Sequence, residues 1–128
     1  MEPEFLDLED VLDIHRGALD RFGGLDGIRD QGALEAAVAQ PQMTFDGEYL
    51  HGDLFSMAAT YAYHIAEAQA FVDGNKRAGL LAAVLFLDLN GFRLPEPEEV
   101  LYLAMLEIAE RKMTKAQLAN LLRELANV

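Results

Sequence analysis

The chain has 128 residues, no cysteine, and 22 acidic against 10 basic side chains, a formal net charge of −12. That length buries about two-thirds of the unfolded surface around one core, and the lack of thiols excludes cysteine catalysis, thiolate metal sites and disulfide frameworks. So acidic a surface repels a phosphate backbone and anionic lipids, which argues against nucleic-acid and membrane-surface binding. It serves solubility or suits a basic partner, two readings that differ in salt dependence. The opening MEPEFLDLED is acidic where a secretory signal is basic and then apolar, and the longest apolar stretch, 78–87, has ten residues. That is about half a membrane span, so a cytoplasmic protein is expected.

In chain order, Leu8, Val11, Leu12, Ala18, Leu19 and Phe22 recur at helical spacing, with Asp7 as N-cap and Gly23-Gly24 as the stop. His15 falls on this apolar stripe and reads as a satisfied core residue. A short helix over 32–39 follows Asp30 and is closed by Pro41. Within 42–49, Asp46-Gly47 lies between short flanks with aromatics, a hairpin signal, although an irregular turn fits the same residues. Asp53 caps a helix to Ala68, the chain loops through 69–74, and a helix resumes over 75–89. From 78 to 87 that helix is apolar on every face, which predicts the buried centre of the fold. Asn90-Gly91 ends it. Two amphipathic helices follow, over 98–110 and from a Thr114 cap with Gln117 as its capping box. The sum is an all-α bundle around a central helical hairpin, one domain over 1–128, with a small β-hairpin at its side.

The chemistry concentrates in Gln69-Ala70-Phe71-Val72-Asp73-Gly74-Asn75-Lys76-Arg77, immediately before the central helix. A helix N-terminus offers unpaired N–H groups and partial positive charge. Gly74 permits the unusual backbone angle of a compact anion cradle. Asn75 can donate from its amide, Lys76 and Arg77 bring charge to where phosphates would lie, and Asp73 can hold a divalent ion bridging them. Two cations at a helix start run against the usual acidic preference there and call for a compensating anion. The same residues also fit an ordinary turn whose cations pair with surface carboxylates.

The run Phe71 to Arg77 resembles the motif His-x-Phe-x-Asp-Gly-Asn-Lys-Arg of the Doc branch of the Fic/Doc family. Similarity extends to Gly23-Gly24, Gly27-Ile28-Arg29-Asp30 with Leu34-Glu35, Pro41-Gln42, and Phe86-Leu87 before Asn90-Gly91. The resemblance implies that Phe71 anchors the loop, that Asp73 binds the magnesium of ATP, and that Gly74, Asn75, Lys76 and Arg77 grip phosphates. It also implies that the segment holding Thr44, Phe45, Asp46, Gly47 and Glu48 is a flap that holds a target chain by strand pairing. Fic enzymes move AMP onto a protein hydroxyl. They carry glycine at the position of Lys76 and a second arginine at that of Leu80. Doc-type proteins, with lysine, transfer the terminal phosphate; elongation factor Tu is their target and a small antitoxin restrains them.

One departure stands out. Position 69 should hold the histidine that takes the proton from the attacking hydroxyl, and this chain has Gln69, followed by Ala70 where proline is common. A neutral amide orients a hydroxyl but accepts no proton near neutrality. Losing a general base costs about 10²–10⁴-fold. Among nearby substitutes, His64 lies about 140° round the preceding helix and reads as structural, Glu67 is closer and could serve as base but faces solvent, and His51 is too far along the chain to place. Slow transfer, a nucleotide- or partner-binding pseudoenzyme, and a plain helical interaction module all remain open. The family's inhibitory pattern, Ser or Thr with Glu four positions on and then Gly or Asn, is not met. Thr44 and Glu48 come nearest, but Tyr49 follows. Restraint should then come from another chain.

Overall fold

The computed structural model describes residues 2–95 and 97–127. Six α-helices are found among them: α1 (Leu8–Phe22), α2 (Gln31–Ala39), α3 (Leu54–Ala68), α4 (Asn75–Leu89), α5 (Glu98–Ala109) and α6 (Lys115–Leu125). Between α2 and α3 lie a 3₁₀ turn, Gln40–Gln42, and the antiparallel strands β1 (Thr44–Phe45) and β2 (Glu48–Tyr49).

Local chemistry sets these boundaries. The Asp7 carboxylate accepts from the Asp10 N–H at 2.8 Å while Asp10 accepts from the Asp7 N–H at 2.9 Å, a reciprocal cap that starts α1. Thr114 and Gln117 repeat the device on α6, and Asp30 and Asp53 cap α2 and α3. The 44–49 segment is a true hairpin: Asp46 and Gly47 both take positive φ, 52° and 79°, the two-residue turn that matches strand twist. Pro41 does not end the helical path outright. It is buried at the start of the 3₁₀ turn, where its missing N–H costs nothing.

Helices α3 and α4 share the most extensive contact in the molecule; α2 and α6 pack on α3, and α1 and α5 on α4. The closeness depends on Gly79. A Cβ there would lie 2.6 Å from the Ala62 carbonyl oxygen, so even a methyl would push the central pair apart. Tyr61, Phe71 and Phe86 are the largest wholly buried side chains, and the Tyr61 hydroxyl accepts from the Leu6 N–H at 2.8 Å, tying the N-terminal arm to the core.

Helix α4, expected as the buried centre of the fold because it is apolar on every face, is central but is not buried all round. Ala78, Leu80, Ala82, Ala83, Phe86 and Leu87 are buried, but Leu81, Val84 and Leu85 are only half-buried. They line an apolar groove of about 770 Å³ shared with Ile14, Ala18 and Phe22 of α1. Apolar composition alone does not distinguish a groove wall from a core. No helix of the described residues is long and apolar enough to cross a membrane.

Candidate phosphate-binding site

The turn between α3 and α4 is held from several sides. Gln69 leaves α3 in the left-handed region at φ 51°, and Ala70 and Phe71 behind it are wholly buried. The Ala70 carbonyl accepts from the N–H groups of Arg29 and Asp30 at 2.6 and 3.1 Å, and the Val72 N–H donates to Gly27 O at 3.0 Å. The Arg29 guanidinium donates twice to the Gln69 carbonyl, at 3.2 and 2.8 Å. From α1, the buried His15 ring stacks on Phe71 at 3.7 Å between centroids, with 6° between planes. Its Nε2 donates to the Asp73 carbonyl at 2.8 Å. His15 is therefore more than core packing: it is a strut between α1 and the loop.

What the loop presents is largely main chain and cation. Gly74 has φ 79° and no side chain caps α4. The first N–H of that end to enter a helical bond is that of Ala78, which donates to Gly74 O, leaving the amides of Asn75, Lys76 and Arg77 at the helix mouth. The expected side-chain donation from Asn75 is corrected by the geometry. Its Oδ1 accepts from the Phe71 N–H and its Nδ2 donates to the Phe71 carbonyl, both at 3.0 Å, so this buried amide closes the loop. Its main-chain N–H is what it can offer an anion.

Lys76 and Arg77 pair with no carboxylate among the described residues. The Arg77 guanidinium lies 3.9 Å from the Phe22 ring centroid and 4.5 Å from that of Tyr102. Two aromatic faces thus hold it flat and leave its N–H edge for a ligand. Phe22, Gly23, Gln69, Asp73, Lys76, Arg77 and Tyr102 enclose a cavity of about 230 Å³. That volume suits the phosphate end of a nucleotide better than the whole molecule.

The Asp73 carboxylate is placed by main chain. Oδ1 accepts from the Gly74 N–H at 2.9 Å and Oδ2 from the Leu25 N–H at 3.1 Å, each oxygen keeping a further lone pair. No group of three His, Asp or Glu side chains able to hold a metal exists among the described residues. A single exposed carboxylate beside a phosphate cradle fits magnesium, which takes its other ligands from phosphates and water.

At the cavity rim the Gln69 side chain turns back, Nε2 donating to Ala66 O at 3.1 Å. The substitutes for a base lie elsewhere. His64 has Lys115 Nζ 3.1 Å from its Nε2; burial, and then the charge of Lys115, push its pKa down to about 4. His51 lines a different cavity with Ser56 and Thr60. Glu67 is ion-paired with Arg111. Beyond these, the hairpin stands exposed, Phe45 at 70%. The Leu50 N–H donates to Met43 O, so hydrogen-bonded pairs alternate inward from it: Phe45 and Glu48 bond each other, while Thr44 turns its N–H outward.

The fold is a helical core that presents a fixed, cation-rich main-chain loop to a small cavity. The model of the Fic/DOC family matches residues 5–87, and the chain belongs to that family. It is 45% identical over 91 residues to Toxin Doc of Mycolicibacterium smegmatis, covering 71% of this chain and 68% of that protein. It is 33% identical over 117 residues to Protein kinase doc of Escherichia phage P1, covering 91% of each. The resemblance drawn from the loop motif is borne out.

The sequence reading missed Phe22 and Tyr102 as the clamp of Arg77 and Arg29 as the brace of Gln69. Only Phe22, placed before Gly23-Gly24 on the turn facing the loop, carried any signal.

Proposed function

We propose that the chain is the toxin of a toxin–antitoxin pair and transfers the terminal phosphate of ATP to a hydroxyl of a target protein. The observation that carries this is the pair Lys76 and Arg77, without carboxylate partners in a chain of net charge −12, set beside Asp73 at an open helix N-terminus. Phosphoryl transfer asks a protein chiefly for positioning and charge, and these residues supply both. The amides of Asn75, Lys76 and Arg77 and the two side chains grip the phosphates. Asp73 would hold the magnesium, which neutralises phosphate charge. Phosphate rather than AMP transfer is favoured by Lys76, and by the wholly buried Leu80 where AMP-transferring relatives place an arginine.

Gln69 stands at the mouth of the site with Nε2 bonded to Ala66 O, so its Oε1, a hydrogen-bond acceptor without basicity, is left to align the attacking hydroxyl, whose proton goes to solvent. Transfer is accordingly slow, by about 10²–10⁴-fold against a site with a base. The same residue favours a second reading, in which the chain binds nucleotide and partner without turnover. The target docks along the hairpin, and elongation factor Tu is the first to test. An antitoxin supplies restraint, and the apolar groove between α1 and α4 gives its chain a surface; Phe22 is a wall of both groove and phosphate cavity.

Calorimetry with ATP tests the site. Magnesium-dependent binding is expected, weakened in Asp73→Ala and Arg77→Ala. Folded protein that binds no ATP at millimolar concentration overturns the proposal.

A further inference from the structure

Of the ten lysines and arginines, five are ion-paired among the described residues: Arg16, Arg21, Arg111, Lys112 and Arg123. Lys76 and Arg77 face the phosphate cavity, and Arg29 braces Gln69. Of the remaining two, Arg93 is exposed at the rim of the apolar groove, and Lys115 does none of these. It is half-buried at the start of α6, with Nζ 3.1 Å from His64 Nε2 and 5.6 Å from the Tyr63 ring centroid. A half-buried ammonium whose nearest polar neighbour is an imidazole has lost water without gaining an anion.

Beside it lies a cavity of about 200 Å³, lined by Leu50 and His51 at the foot of the hairpin, Ser56 and Thr60 of α3, and Lys115 and Ala119 of α6. No carboxylate lines it, although acidic side chains outnumber basic ones more than two to one in the chain. The Thr60 hydroxyl is spent on the Ser56 carbonyl, at 2.8 Å, which leaves Lys115, His51 and the Ser56 hydroxyl as donors.

We propose that this second cavity binds a carboxylate, with Lys115 as counter-ion and His51 and Ser56 as hydrogen-bond donors. The charge balance selects a carboxylate over a phosphate dianion. Burial and the charge of Lys115 push both His51 and His64 toward their neutral forms, so one cation remains to match one negative charge. The carboxylate of a small free acid and that of an acidic side chain share this chemistry. The hairpin leads directly into Leu50 and His51, so a chain docked there would carry such a side chain to the cavity. The site does not rest on the ATP reading, since it shares no residue with the phosphate cavity.

The chain has three histidines, so their ring signals in carbon–proton NMR are simple to follow. Intact protein is titrated with sodium acetate against sodium chloride at equal ionic strength, and with a short glutamate-containing peptide against its glutamine counterpart. Saturable shifts of His51 and His64 are expected with His15 unmoved. The His64 titration midpoint, set by burial and then by the charges of Lys115, His51 and Glu67, with the Tyr63 ring packed beside it, should rise on carboxylate binding. Lys115→Met should weaken binding at least about tenfold, the share of one charge-assisted hydrogen bond. Acetate saturation assigns a free acid; saturation by the glutamate peptide alone assigns an acidic side chain. Identical shifts with chloride, or with the glutamine peptide, overturn the proposal, and this wild-type comparison decides if the variant fails to fold. Undiminished binding in folded Lys115→Met overturns it as well.

Discussion

His15 Nε2 donates to the main-chain oxygen of Asp73 at 2.8 Å, across 58 residues of sequence. One buried imidazole on α1 thereby sets the carbonyl next to the carboxylate that faces the loop cavity, while its ring packs on Phe71. His15→Leu keeps much of the apolar bulk and removes the donor, stranding that carbonyl. It should cost about 1–3 kcal/mol of stability by urea denaturation. Because the loop then loses its set, ATP affinity in calorimetry should fall as well. An unchanged denaturation midpoint together with unchanged affinity would show that the contact is incidental.

The hairpin gives a test that only its register makes available. Phe45 is bonded to Glu48 across the turn, so proline there would break the hairpin itself. Thr44 faces outward, and Met43 before it has φ −60° and ψ 137°, which a following proline accepts. Thr44→Pro should therefore weaken capture of the target protein in pull-down or calorimetry while leaving ATP binding intact. Equal loss of both would mean that the hairpin only supports the fold.

His64 makes stability depend on pH in a defined direction. Burial, and after it the charge of Lys115, lowers its pKa from the ordinary 6.5 to about 4 in the folded chain. Above pH 6.5 both states are neutral at this site and its contribution is complete. As pH falls from there toward 4, the unfolded chain takes up a proton that the folded one refuses, and stability declines. His64→Gln should flatten this part of the profile in urea denaturation between pH 7 and pH 4. A parallel slope in the variant would assign the effect to carboxylates instead.

Much of this was legible in residues. Asp7, Asp53 and Thr114 marked helix starts because a short polar side chain before an apolar run has one good use there, capping free N–H groups. The loop over 69–74 was legible from Gly74 and the cations after it. Other features depended on partners far away in sequence. Asn75 reads as a phosphate donor until Phe71 is seen to take both ends of its amide. The half-exposure of Leu81, Val84 and Leu85 depends on where α1 lies, and the clamp on Arg77 joins residues 22 and 102. Composition carries no record of such distances.

The most direct test concerns Gln69, the one position where the loop departs from its motif. Glutamine has nearly the reach of histidine, and Gln69→His places an imidazole with a pKa near 6.5 at the mouth of an otherwise intact phosphate site. Transfer of labelled γ-phosphate from ATP to elongation factor Tu is measured for the natural chain, for Gln69→His, and for an Asp73→Ala control. Label on a target hydroxyl is expected at least about tenfold faster in Gln69→His than in the natural chain, a modest share of a general base's contribution, with no label in Asp73→Ala. A natural chain already as fast as Gln69→His, or silence from both while ATP still binds, contradicts it.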